Sequence, residues 1–269
     1  MPELPEVETV ARQLEPRLAG RRVVALRILD PRLREQPTPR LRGRRVTEVG
    51  RAGKRVVVGF DGNGERRGLW LAVHLRMTGR LIWADEGVPI DSRSLRARFR
   101  LDRGNLLFYD TRRFGTFFWT AERSAAEPQA LDPLDPRLDA ARLARLLAGG
   151  SQPLKVWLLR QDRLVGLGNI YASEICHVAR LSPTRGVDTL DATETGRLLS
   201  ATRRVLRRAI RSCGTTFSDY QDANGLAGSY QHHLRVYGRE GAACRRCAAT
   251  IRRIVQQQRG TFYCPDCQR

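Results

Sequence analysis

The chain has 269 residues and a formal net charge of +20 at pH 7, enough length for one large or two modest domains with a real core. It contains no apolar run of roughly 18 residues, and Met1-Pro2-Glu3-Leu4-Pro5-Glu6 lacks the basic-then-apolar layout of a secretory leader, so a helical membrane protein is excluded and a soluble intracellular one expected. So large an excess of cations favours a polyanionic partner.

Taken in chain order, Leu4, Val7, Val10, Ala11, Leu14 and Leu18 form the stripe of a helix over Leu4–Gly20, with Pro5 suited to its first turn and Pro16 a point of kinking or shortening. From Arg21 to Thr120 the pattern shifts to short apolar stretches that include Val23–Leu29, Arg55–Phe60, Leu69–Leu75, Leu81–Trp83, Ala97–Leu101, Leu106–Asp110 and Gly115–Trp119. Turn residues such as Asp61-Gly62-Asn63-Gly64 and Asp102-Arg103-Gly104-Asn105 separate them, the signature of a β-sandwich or barrel. Residues 121–138, with Pro128, Pro133 and Pro136, read as a linker, and helical periodicity returns at Ala140–Leu147, Leu154–Gln161, Asn169–Val178 and Thr193–Cys213. Residues 214–233, rich in Gly, Asp, Ser and Asn, predict a loop. Arg252–Gln257 and Thr261–Tyr263 read as hairpin strands around Arg259-Gly260. The fold class is therefore α+β: an N-terminal helix on a β-sandwich (1–120), a linker (121–138), a helical domain (139–238) and a small cysteine module (239–269).

Charge follows the same division. Residues 1–120 carry 25 basic and 14 acidic side chains, residues 121–138 carry 2 and 4, and residues 139–269 carry 21 and 10. Balances of +11, −2 and +11 describe two basic lobes joined by a weakly acidic connector, not one basic tail. Only two of the cations are Lys, Lys54 and Lys155, against 46 Arg. Two amines kept within such a bias mark positions where a compact donor able to lose its proton serves and a planar guanidinium does not.

The strongest local motif is Cys244-x2-Cys247-x16-Cys264-x2-Cys267, whose paired thiolates suit one tetrahedral zinc with no place left for water, hence a structural ion. Cys176 and Cys213 lack such neighbours and read as core residues. At the other end, removal of Met1 exposes Pro2 as a secondary amine, and an α-amino group titrates near about 8, so a useful fraction is neutral and nucleophilic. Glu3 beside it is placed to shuttle protons, with Glu6 one turn on to assist; taken alone, however, Glu3, Glu6 and Glu8 read first as acids at the positive end of a helix dipole.

Several separated motifs add to this. MPELPEVET (1–9), Gly53-Lys54, HLRMTGRL (74–81), DTRRFG (110–115), GNIYASE (168–174), VYGR (236–239) and the cysteine hairpin ending at Tyr263-Cys264 together resemble the formamidopyrimidine-DNA glycosylase family over the whole chain. The resemblance implies two lobes around a DNA cleft, a helix–two-turns–helix element in the second lobe, and a bifunctional glycosylase/lyase of base excision repair that removes oxidised purines (8-oxoguanine, formamidopyrimidines) and cuts by β,δ-elimination. It implies four catalytic residues, Pro2 as nucleophile, Glu3 as acid/base, Lys54 contacting phosphate near the lesion and assisting catalysis, and Arg259 gripping the phosphates around the everted nucleotide, with Lys155 in oxidised-guanine processing. Asn169 and His74 would hold phosphate or DNA, and Met77, Arg112 and Phe114 would enter the duplex where the damaged nucleotide leaves; by themselves Met77 and Phe114 read as core. Residues 214–233 match the lesion-capping loop. The implied partner is damaged double-stranded DNA, with one zinc ion, no diffusible cofactor and no membrane, for a monomer in the bacterial cytoplasm associated with the nucleoid. Arg76, where the family usually has Gly, and Thr111, where it often has Pro, depart from the pattern. The competing readings are an endonuclease VIII-type glycosylase for oxidised pyrimidines and a non-enzymatic zinc DNA-binding protein.

Overall fold

A computed structural model describes residues 1–34, 37–62 and 68–269. Helix α1 (Leu4–Leu18) begins where its sequence permits: Pro5 lies in the first turn, where a missing N–H leaves no bond unmade, and the Glu6 carboxylate reaches back to accept the Glu3 N–H at 2.8 Å. The helix runs on through Pro16 to Leu18. Its stripe of Leu4, Val7, Val10, Leu14 and Leu18 is wholly buried, each side chain contributing about 1.5–3 kcal/mol by leaving water.

The strands are β1 (Val23–Ile28), β2 (Val46–Ala52), β3 (Arg55–Phe60), β4 (Leu69–His74), β5 (Gly79–Ala84), β6 (Leu95–Leu101), β7 (Asn105–Asp110) and β8 (Thr116–Thr120). They form two antiparallel sheets ordered β1-β6-β7-β5 and β2-β3-β4-β8. Alternate residues, among them Val56, Val58, Leu71, Val73, Ala97, Phe99, Leu106 and Phe108, share one apolar core with α1. Strand β2 is missing from the sequence expectation. Its apolar Val46, Val49 and Ala52 recur every third residue, and an irregularity between Val46 and Glu48 breaks the period of two that marks a strand. Of the expected turn Asp61-Gly62-Asn63-Gly64, Asn63 and Gly64 lie outside the described residues.

The chain divides into two compact units, Met1–Pro128 with Ser212–Gln231 and Gln129–Arg211 with His232–Arg269. The first takes in a one-turn helix α2 (Arg123–Ala126), whose Ala126 packs with Ala52, Val57 and Ala72. Segment 212–231 belongs to the sandwich because polar bonds sew it there. Gln13 Nε2 donates to Asp222 at 2.8 Å, the Ala223 N–H donates to Gln13 at 2.9 Å, and Arg80 donates to Gln221 at 2.6 Å.

The second unit carries α3 (Ala140–Leu147), α4 (Leu154–Leu158), α5 (Asn169–Ala179), α6 (Ala192–Arg211) and the hairpin β9 (Arg252–Gln256) and β10 (Arg259–Tyr263). Asp139 caps α3 by accepting the Arg142 N–H at 2.7 Å, and Asp191 and Glu194 exchange bonds at the start of α6. Helix α4 ends at Leu158, three residues short of expectation, because Gln161 is used as a tie: its amide donates to the carbonyls of Leu159 and Leu167 and accepts the Gly166 N–H. Two turns between α4 and α5 result. The hairpin also differs from expectation. Its turn is Gln257-Gln258, both at positive φ, so Arg259 opens β10 and Gly260 lies within the strand. No helix among the described residues is long and apolar enough to cross a membrane.

Candidate active site and nucleic-acid interface

Pro2 and Glu3 are buried at the head of α1, whereas Met1 is half-exposed. Glu6 organises this corner. One carboxylate oxygen holds the Glu3 N–H; the other accepts the Thr215 N–H at 2.7 Å, so a single side chain fixes both the chain start and the loop after α6. Gly214 lies so close that a Cβ there would meet Glu6 at 2.8 Å, and its φ of +82° also favours glycine. Tyr220 donates its hydroxyl to the Glu6 carbonyl at 3.3 Å; burial first, then the charges of Glu6 and Asp222, raises its pKa and keeps it a donor. Glu8 is drawn into ion pairs with Arg51 and Arg12 at 2.7 and 2.6 Å.

Lys54 occupies the two-residue turn between β2 and β3, after Gly53 at φ +60°. Arg55 faces His74 across the sheet. Burial, then Arg76, Arg55 and Lys54, pushes the His74 pKa down to about 4. The neutral ring accepts the Arg76 N–H on Nδ1 at 3.0 Å, which leaves the proton on Nε2 as a donor. An unfolded imidazole titrates near its ordinary 6.5, so between that value and about 4 the unfolded chain binds more protons. His74 therefore withdraws stability as pH falls through this window and has no effect above it. NMR titration of the His74 ring should give a midpoint near 4; an ordinary midpoint would remove the argument.

Met77, Arg112 and Phe114 come together on the loops after β4 and β7. Met77 is 43% and Phe114 47% exposed, which disposes of the core reading. The Arg112 guanidinium lies 3.2 Å from Met77 Sδ and stacks 4.8 Å over the Phe114 ring. Two residues missed in the sequence build this cluster. Buried Asp110 accepts from Thr78 and from the Gly115 N–H at 2.7 Å, and Thr78 Oγ1 in turn accepts the Arg112 N–H at 3.0 Å. An Asp at a strand end ahead of a turn is the signal that could have found it. Gly79 closes the first loop where a Cβ would lie 2.4 Å from the Leu75 carbonyl oxygen.

In the second unit Lys155 is fully buried, and its ammonium donates to the Gly260 carbonyl at 3.0 Å and to Thr261 Oγ1 at 2.7 Å. Asn169, first residue of α5 behind the cap Gly168, donates to the same carbonyl at 3.1 Å. Both therefore hold the strand beside exposed Arg259. Glu174, also missed, is fully buried on α5 and accepts the N–H groups of Arg235, Val236 and Tyr237 at 2.8–3.0 Å. Burial raises its pKa, opposed by those three bonds.

Cys244, Cys247, Cys264 and Cys267 bring their sulfurs within 4.8 Å of one another, with individual separations of 3.3, 3.4 and 3.9 Å. A tetrahedron with Zn–S bonds of about 2.3 Å has edges of about 3.8 Å, so the donor set fits one structural zinc ion. Burial and the three neighbouring cysteines push the Cys267 thiol up to about 12, a penalty that a bound dication relieves. His177 Nε2 lies 3.5 Å from Cys244 Sγ, placed as an outer partner of the thiolate. Cys176 is buried, and burial pushes its thiol to about 12.

Three family models match the chain: the formamidopyrimidine-DNA glycosylase N-terminal domain at residues 1–117, the formamidopyrimidine-DNA glycosylase H2TH domain at 129–221, and a zinc finger found in FPG and IleRS at 241–269. The formamidopyrimidine-DNA glycosylase of Laribacter hongkongensis is 40% identical, with all of both chains covered. That of Heliobacterium modesticaldum is 41% identical, also over the whole of both. Among solved structures, a Lactococcus lactis FPG mutant in complex with Fapy-dG-containing DNA is similar at a TM-score of 0.88 and 30% identity, covering 100% of both chains. MutM in complex with carbocyclic 8-oxo-G-containing DNA is similar at 0.87 and 29%, again over both whole chains.

Proposed function

The chain belongs to the formamidopyrimidine-DNA glycosylase family, and on that footing we propose that it is a base-excision-repair enzyme acting on damaged duplex DNA, both glycosylase and AP lyase, with oxidised purines as substrates. The observation that carries this reading is the buried Pro2–Glu3 pair pinned at the head of α1 by Glu6. With Met1 removed, the Pro2 nitrogen attacks C1′ of the everted nucleotide. The glycosidic bond breaks, its electron pair leaves with the base, and Glu3 manages the protons as the sugar ring opens. A secondary amine yields an iminium with no N–H to lose, so the positive charge persists as an electron sink. Loss of a C2′ proton then expels the 3′ phosphate, a further elimination expels the 5′ phosphate, and water frees the amine.

The other residues serve binding. Lys54, His74, Asn169 and exposed Arg259 contact phosphate, Arg259 through a two-pronged guanidinium grip. Asn169 Nδ2 carries two hydrogens, one held by the Gly260 carbonyl and the other available to phosphate, and Lys155 acts through that same strand. Met77, Arg112 and Phe114 fill the space left in the duplex, with Arg112 reading the orphaned base and offsetting a flipping cost of a few kcal/mol. Loop 214–233 covers the extruded base.

Borohydride trapping and product analysis on 8-oxoguanine:cytosine duplexes test the proposal. A covalent adduct mapping to Pro2 with release of 8-oxoguanine is expected. Binding without an adduct would identify a non-enzymatic zinc protein, and preference for thymine glycol an endonuclease VIII-type enzyme. Zinc would supply shape rather than chemistry: the core around it is four buried residues, Val236, Cys244, Ile251 and Cys264, with Ala249, Phe262 and Cys267 partly buried against them, a small cluster for holding the hairpin alone. Chelation is expected to weaken duplex binding before it touches trapping on a single-stranded abasic oligonucleotide. A chelated, still-folded protein that bound duplex normally would exclude the hairpin from the interface.

A further inference from the structure

Arg112 and Phe114 flank Arg113, whose backbone lies at φ +59°, a conformation that a Cβ disfavours and that persists where surrounding contacts impose it. The contact that imposes it is distant in sequence. Arg113 Nε meets Asp30 Oδ2 at 2.7 Å and Arg113 Nη2 meets Asp30 Oδ1 at 2.6 Å, a two-pronged pair. Asp30 is only 3% exposed. It is itself fixed: its N–H donates to the Arg96 carbonyl at 3.1 Å, its carboxylate accepts the Arg32 N–H at 3.1 Å, and Arg96 Nε lies 3.9 Å away. The hydrogen-bonded Arg113 guanidinium also holds its carboxyl below the usual range.

We infer that Asp30 is a positioning residue: by clamping Arg113 in the left-handed conformation it aims Arg112 and Phe114, and so sets how sharply the enzyme discriminates the base opposite the lesion. The inference rests on the proposed entry of Arg112 and Phe114 into the duplex. The backbone angles of Arg113 govern the relative direction of its two neighbours. Were Arg113 to relax to negative φ, the stacking of Arg112 on Phe114 at 4.8 Å and the Gly115 N–H bond to Asp110 could not both survive. A misdirected guanidinium still attracts DNA, since charge acts in all directions, but it loses the angular requirement of a hydrogen bond to one base edge. Nucleophile chemistry at Pro2 has no need of this turn.

The test uses the full-length, zinc-loaded protein with D30N, R113G and the double variant. Hydrogen exchange of residues 111–115 in the free protein reads the turn without substrate, and D30N should accelerate it. Excision of 8-oxoguanine opposite cytosine and opposite adenine should lose roughly tenfold in preference in D30N, the scale of a lost bond to a charged group. Borohydride trapping on a single-stranded abasic oligonucleotide, which has no opposite base, should stay within about twofold of wild type. Glycine adopts the left-handed turn without a clamp, so D30N should have no further effect on preference in the R113G background. Unchanged exchange in D30N, equal D30N effects in both backgrounds, or a parallel loss of single-strand trapping would each overturn the inference. Failure of the wild type to release 8-oxoguanine at all would instead overturn the proposed function, and the exchange measurement would still decide the role of Asp30.

Discussion

Pro2→Thr should abolish the borohydride-trapped adduct and lower base excision on the order of a thousandfold or more, the scale on which removing a nucleophile costs an enzyme. Threonine can still follow a removed methionine, so the variant retains an amine. It is, however, a primary amine, whose iminium sheds a proton to become a neutral imine, a poorer electron sink for elimination and a poorer acceptor of hydride from borohydride. It also lacks the ring that fixes the backbone direction of the nitrogen in a buried corner. Affinity for damaged duplex should change little, because the basic contacts lie elsewhere and Glu6 continues to hold the Glu3 N–H and the Thr215 N–H. A companion form that retains Met1 should behave alike, since its Pro2 nitrogen is an amide with no available lone pair. Full-speed cleavage by the Met1-retaining form would place the nucleophile on another group, and by the threonine form would show that a secondary amine is not required.

Lys155→Met should weaken duplex binding by about ten- to a hundredfold while leaving the zinc content intact. Methionine fills nearly the same volume in a site with no exposure, so packing changes little. What disappears is the donor to the Gly260 carbonyl at 3.0 Å and to Thr261 Oγ1 at 2.7 Å. Removing a buried charged donor costs about 1.5–3 kcal/mol. The loss falls on the strand that carries Arg259, because Asn169 must then hold the Gly260 carbonyl and phosphate together. Metal analysis together with titration of labelled duplex checks this. Wild-type affinity in the variant would show that the hairpin needs no such tether, and loss of zinc would show a general failure of the module.

The two variants separate chemistry from grip. Pro2→Thr is expected to bind without reacting, whereas Lys155→Met should retain single-stranded trapping and lose affinity. The difference follows from where the groups sit, one at the head of α1 and the other in the interior of the helical unit. His74 adds a third behaviour. Held neutral to about 4, it offers a donor whose protonation is constant near neutral pH, so duplex affinity should show no step from this ring there.

The sequence by itself determined what near neighbours in the chain decide. Each pair of thiols, separated by two residues, closes within one turn, and helix periodicity repeats every few residues; hence the zinc site, α1 and the α+β class were legible. Elements whose local pattern is weak were not: β2 exists because β3 pairs with it, α4 stops where Gln161 ties the following turns, and the hairpin turn falls two residues before the expected Arg259-Gly260. Only the tertiary structure decided the partners that join distant residues. Glu6 meets Thr215 across 209 positions, Lys155 meets Gly260 across 105, and Asp30 meets Arg113 across 83. No periodicity encodes such a match, because each bond depends on where the chain returns after the core has closed, and a buried donor or acceptor takes whichever partner that return supplies.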